Sequence, residues 1–129
     1  MKYLLDTDII IKHLRGKKTI DVSWLEKGTG ISIITRAELL CGAYKSKKTE
    51  DNITSIANFL EDLHIKTINL DADIIHIYSS LRAKLETKGE RLDHFDLLIA
   101  ATALSQELKL LTYNHKHFAR IPKLKLSKL

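Results

Sequence analysis

The sequence predicts an α/β fold: one domain, residues 1–129, built on a central, mainly parallel sheet with helices on both faces. Two observations carry this. Short apolar runs rich in β-branched residues alternate along the chain with longer stretches whose apolar positions recur at helical spacing. The composition agrees, because 129 residues with 44% apolar and 29% charged side chains, five Gly and one Pro describe an ordinary globular chain able to bury about two-thirds of its unfolded surface.

The elements follow in order. Lys2-Tyr3-Leu4-Leu5 is an apolar strand that stops at Asp6, and Ile9-Ile10-Ile11 with Leu14 form a short helix ending before Arg15-Gly16. Thr19 to Lys27 places Ile20, Trp24 and Leu25 on one helical face and ends at Gly28, the residue expected beyond a C-cap, so a second helix or tight turn lies there. Gly30 to Ile34 is a second strand. It runs directly into Thr35-Arg36-Ala37-Glu38, which has capping-box spacing and opens a third helix. Ile53, Ile56, Ala57, Leu60 and Leu63 mark an amphipathic helix, and Ile65-Lys66-Thr67-Ile68 alternates as a strand.

From Asp71 to Lys88 the residues Ile74, Ile75, Ile77, Tyr78, Leu81 and Leu85 keep helical spacing, and Gly89 closes the segment. Asp93 to Leu108 is apolar nearly all round, through Leu97, Leu98, Ile99, Ala100, Ala101, Ala103 and Leu104, and belongs in the interior. Leu110-Leu111-Thr112 is a short strand, Tyr113 to His117 a polar connection, and Leu124 to Leu126 a candidate edge strand after Pro122.

Several classes of chemistry are excluded. Cys41 is the sole cysteine, so neither an intramolecular disulfide nor a thiolate metal cage can form; it reads as a small buried hydrophobe in a reducing compartment. Asp6 and Asp8 fall where the apolar stretch of a signal peptide would lie, and no run reaches the ~18 apolar residues of a membrane span, so a cytoplasmic protein is expected. His13, His64, His76, His94, His115 and His117 make no zinc pattern with cysteine and are assigned mostly to solvated surface. No Gly-x-Ser-x-Gly elbow and no glycine-rich phosphate loop is present. The net charge of +5 rises toward the C-terminus through Lys116, Arg120, Lys123, Lys125 and Lys128 and permits a polyanionic partner, although scattered lysines also serve solubility.

The acids carry the functional signal. Ligands of an open parallel sheet bind beyond the carboxyl ends of its strands. Asp6 ends the first strand, Glu38 lies one turn into the helix leaving the second, and Asp93 and Asp96 occupy the first turn of the interior helix. Hard oxygen donors of this kind suit Mg²⁺, and a bound ion suits phosphodiester hydrolysis. Each acid also has a structural reading. Glu38 completes the capping box with Thr35, Asp93 and Asp96 favour the positive end of their helix, and Asp6 caps the helix after it.

Leu4-Leu5-Asp6-Thr7-Asp8, Ile34-Thr35-Arg36-Ala37-Glu38-Leu39, Phe95-Asp96-Leu97-Leu98-Ile99-Ala100-Ala101-Thr102-Ala103 and Leu111-Thr112-Tyr113-Asn114 together resemble the PIN-domain ribonucleases, specifically the VapC-type toxins of toxin–antitoxin pairs, over essentially the whole chain. The resemblance implies a PIN-like three-layer α/β/α domain, an endoribonuclease dependent on Mg²⁺ or Mn²⁺, a homodimer, and inhibition by a small VapB-type antitoxin. It matches Asp6, Glu38 and Asp96 to the family's metal-binding and catalytic acids, with Asp6 and Asp96 as direct ligands and Glu38 as ligand or general base. Asn114 and Thr7 are candidates to orient water or phosphate, and Asp93 for an additional acid. Many members carry an acid before the phenylalanine that here is Phe118; this chain has His117, either a water- or phosphate-contacting group or a surface residue. Two other readings stand beside it: an RNA- or protein-binding PIN-like domain with a weak site, and a small aspartyl phosphatase of the haloacid-dehalogenase type with Asp6 as nucleophile.

Overall fold

The computed structural model describes every residue except Lys128, so the last charge of the basic C-terminal run lies outside the described residues. Its elements are β1 (Tyr3–Leu5), α1 (Thr7–Leu14), α2 (Val22–Glu26), β2 (Thr29–Ser32), α3 (Ile33–Lys45), α4 (Thr49–Asp62), β3 (Lys66–Ile68), α5 (Ala72–Thr87), α6 (His94–Ser105), β4 (Lys109–Leu111) and α7 (His115–Phe118). The four strands form one all-parallel sheet in the order β3-β2-β1-β4. The chain leaves β1 toward β2 on one side and returns to β4 on the other, so β1 borders the point where strand order reverses.

Alternation along the strands divides the core between the two faces of the sheet. Tyr3, Leu5, Ile31 and Leu111 pack on one face with Ile9, Ile10, Leu39, Ile56 and Leu60 from α1, α3 and α4. Leu4 and Leu110 point to the other, against Leu81 and Leu85 of α5 and Leu97, Ile99, Ala100 and Ala103 of α6. Burial of α6 nearly all round follows from its position between the sheet and α5, and its alanines allow that close approach. At the start of the sheet, the Gly28 carbonyl accepts from both Lys2 and Tyr3 N–H, docking β1 beside β2. Gly28 has φ +91, and a Cβ there would lie 2.9 Å from the Met1 Cα, so only glycine fits this close turn.

Three sequence expectations need correction, and one histidine stands apart from the mostly exposed set. The second strand ends at Ser32, whose hydroxyl accepts from Ile34 N–H and caps α3, so Thr35 and Glu38 do not form a capping box. Cys41 is exposed on α3, on the helix face turned from the core. His13 is partly buried and accepts from Ile20 N–H through Nδ1, closing the chain after α1. The polar connection contains the short helix α7, and the expected edge strand reduces to one parallel bridge between Leu110 and Leu126. Among the described residues no helix is long and apolar enough to cross a membrane.

Leu4, fully buried in the inner strand β1 and clustered with residues of α5 and α6, tests this arrangement. Leu4→Ala should lower unfolding free energy by about 2–5 kcal/mol in urea titration with the m-value unchanged; a loss below about 1 kcal/mol would contradict the packing.

Candidate active site

The acidic edge is built by strand register. Leu5 pairs with Leu111, and Asp6 N–H donates to the Leu111 carbonyl at 2.9 Å, which sets Asp6 beside Thr112 at the carboxyl end of the sheet. Asp6 is only 6% exposed. Its Oδ1 accepts from Thr7 N–H at 2.8 Å as the cap of α1, and its Oδ2 accepts from the Thr112 hydroxyl at 2.7 Å. The structural reading of Asp6 is therefore correct, and it uses one oxygen. Burial, then the charges of Asp8 and Asp96, push the Asp6 carboxyl up to about 7 against the pull of its two hydrogen bonds.

Asp8, two residues after Asp6, enters the same edge. Its Oδ2 accepts from Tyr113 N–H at 3.1 Å, its Oδ1 is buried without a hydrogen-bond partner, and burial raises its pKa. Sequence reasoning did not place Asp8 among the candidate site residues. The available signal was its neighbourhood, because a second acid two residues after a strand-ending Asp lies in the first turn of the same helix.

Glu38 and Thr7 meet across two elements. The Thr7 hydroxyl donates to Glu38 Oε1 at 2.6 Å and lies 3.1 Å from the Thr35 hydroxyl, which can then donate to Thr7. Both threonines are buried, so this chain fixes the carboxylate at the rim of the site. Asp96, in the first turn of α6, is 23% exposed at its side chain and has its pKa raised by burial, then by Asp93 and Glu38. Asp93 itself is exposed and caps α6 through Oδ1 to Phe95 N–H at 3.0 Å; it contributes field and serves the helix end.

His117 approaches Asp96, Nδ1 to Oδ2 at 3.8 Å, while Asn114 Nδ2 lies 2.8 Å from the same His117 nitrogen. Asn114 N–H donates to the Thr112 hydroxyl. The turn after β4 thus ties the Asp6 side of the edge to the Asp96 side. Asp6, Glu38 and Asp96 share one electrostatic neighbourhood, with Thr7 bonded to Glu38, His117 near Asp96, and Asn114 reaching them through Thr112 and His117. Among the described residues no Lys or Arg forms an ion pair with these acids. No three acidic, histidine or cysteine side chains among them approach closely enough to enclose a metal unaided. The donor set fits a hard ion held by one or two carboxylates with water completing its shell, which is the usual manner of Mg²⁺, and the orphaned Asp8 oxygen is a further acceptor.

The PIN domain family model matches residues 3–124. This chain belongs to the PIN-domain family. Within the family its relatives are VapC ribonucleases: ribonuclease VapC2 of Rickettsia felis is 38% identical over 129 residues, covering 96% of this chain and 95% of the relative. The tRNA(fMet)-specific endonuclease VapC of Salmonella typhimurium is 32% identical, covering 98% and 96%. The crystal structure of VapBC2 from Rickettsia felis bound to a promoter DNA fragment contains a chain that superposes with TM-score 0.89 at 35% identity, covering 100% of this PIN domain and 99% of that chain. The aspartyl phosphatase reading is set aside, since the fold is that of PIN-domain VapC proteins.

A raised Asp6 pKa means that the folded state holds its proton more tightly than the unfolded chain. Its contribution to stability is therefore lost as pH rises from 3.8 through about 7. In chelator, wild type should lose stability relative to Asp6→Asn between about pH 4 and about pH 8, by up to roughly 4 kcal/mol, in chemical denaturation. Parallel pH profiles for the two proteins would refute the buried-carboxylate account.

Proposed function

We propose that this PIN domain is the endoribonuclease toxin of a toxin–antitoxin pair, hydrolysing RNA phosphodiester bonds with Mg²⁺, or Mn²⁺, on its carboxylate edge. One observation carries the reading: Asp6, Glu38 and Asp96, from three separated segments, gather at the strand ends as a charge cluster without an ion-paired Lys or Arg among the described residues. A divalent ion there would supply a more acidic water and neutralise charge on the scissile phosphate.

The chain's own residues divide the remaining work. Asp6 and Asp96 hold the ion, and Thr112 keeps Asp6 oriented through Oδ2. Glu38, fixed by Thr7, assists as ligand or takes a proton from water. Asn114 and His117 stand beside Asp96, where their N–H groups meet phosphate oxygen or water. Asp93 supports Asp96 through its field and through the helix cap.

The partners follow from the relatives. Solved structures similar to this chain include VapBC complexes from Rickettsia felis and nontypeable Haemophilus influenzae, the latter with TM-score 0.87 at 31% identity and covering 99% of this chain and 98% of that chain. A VapB-type antitoxin, a homodimer and a cytoplasmic location belong to the same proposal. A groove of about 470 Å³ between α1, α3 and α4, lined by Ile11, Leu14, Leu39 and Ile56 with Glu38 at its edge, offers an antitoxin segment a route to the acids.

Cleavage of total RNA by protein freed of copurifying inhibitor tests the proposal. Discrete fragments should form with Mg²⁺, vanish in chelator, and fall by roughly a hundredfold or more in Asp96→Asn. Absence of fragments under every condition from folded, inhibitor-free protein, together with tight RNA binding, would instead support the binding-domain reading kept open by His117. Thr7→Val should cut the rate about 10–100-fold while preserving the melting temperature within a few degrees; an undiminished rate would remove Glu38 orientation from the mechanism.

A further inference from the structure

Two lysines converge on one tyrosine at the flank of the acidic edge. Lys12 Nζ lies 4.3 Å and Lys18 Nζ 4.8 Å from the Tyr113 ring centroid. Lys12, half-buried on α1, and Lys18, exposed in the turn beyond it, are brought together because Lys17 and Lys18 N–H both return to the Lys12 carbonyl. Neither ammonium forms an ion pair among the described residues, and Asp8 is felt by Lys12 only at longer range. Two like charges on one ring leave an uncompensated positive site, and the ring attracts each without neutralising either.

Its location gives it a ligand. Tyr113 N–H donates to Asp8, and Tyr113 follows Thr112, whose hydroxyl holds Asp6. The ring that carries both lysines therefore belongs to a residue hydrogen-bonded to Asp8 and adjacent in the chain to the threonine that holds Asp6. We propose that Lys12 and Lys18 form a clamp on the Tyr113 ring that binds a backbone phosphate flanking the scissile one and so positions single-stranded RNA across the carboxylate edge. This rests on the ribonuclease reading. Phosphate contacts of this kind set register and affinity independently of base identity.

The test measures RNA binding apart from cleavage. A fluorescent single-stranded oligoribonucleotide is titrated in chelator against wild type, Lys12→Gln/Lys18→Gln and the charge-matched control Lys123→Gln/Lys125→Gln. The control residues line a cleft with Glu107 and Leu108 at the opposite end of α6. The Lys12/Lys18 variant should bind roughly tenfold or more weakly, and its slope of log affinity against log salt should be shallower by about 0.7 to 1.4, the range for one to two lost phosphate contacts. The control should stay near wild type. With Mg²⁺, KM for RNA cleavage should rise more than kcat falls. A lower melting temperature with unchanged affinity and salt slope would assign both lysines to the tyrosine ring alone and overturn the clamp. Equal loss in the control would reduce the effect to net charge and also overturn it. A wild type that neither binds nor cuts RNA would instead overturn the ribonuclease reading on which the clamp depends.

Discussion

The parallel register of β1 against β4 is the constraint on which the site depends. It places Asp6 beside Thr112, directs the Asp6 N–H into the Leu111 carbonyl, and leaves the Asp6 carboxyl in a buried position where two hydrogen bonds only partly offset desolvation. A slip of one residue would turn Leu4 and Leu5 to the wrong faces of the sheet and move Asp6 off its edge. Packing on both faces therefore holds the register, and the register holds the chemistry.

Around that point the threonines divide the polar work. Thr112 orients Asp6 and accepts from Asn114, while Thr7 orients Glu38 with Thr35 behind it. Each is buried or borders buried atoms, so each hydroxyl is fixed by a partner rather than by water. The acids are consequently held close to one another at an electrostatic cost. Asp6, Asp8 and Asp96 all have raised pKa values, with burial as the first cause in each. Such cost at the end of a parallel sheet marks a candidate functional site.

Helix ends contribute in two distinct ways. Asp6 and Asp93 are caps, with one oxygen each committed to a backbone N–H, yet Asp6 faces the shared site with its remaining oxygen whereas Asp93 is exposed. One helix is thus capped by a buried acid and the other by an exposed one. His117 is 51% exposed at its side chain, and the short helix α7 nevertheless carries it to Asp96 and Asn114.

Much of this protein was legible in the sequence because local periodicity is a local property. The strand at Tyr3–Leu5, the long helix Ala72–Thr87, the interior helix holding Asp96 and the α/β order all follow from apolar spacing and end signals within a few residues. The acids were legible as candidates because Asp6 and Glu38 come after the first two strands and Asp96 lies in the first turn of the apolar helix. Tertiary structure alone decided their partners. It joined Thr7 to Glu38 across 31 positions, brought Asp8 to Tyr113 and set Lys12 and Lys18 on the ring of Tyr113. Those contacts depend on distances between segments far apart in the chain, which strand register and helix packing fix and which no short window of sequence contains.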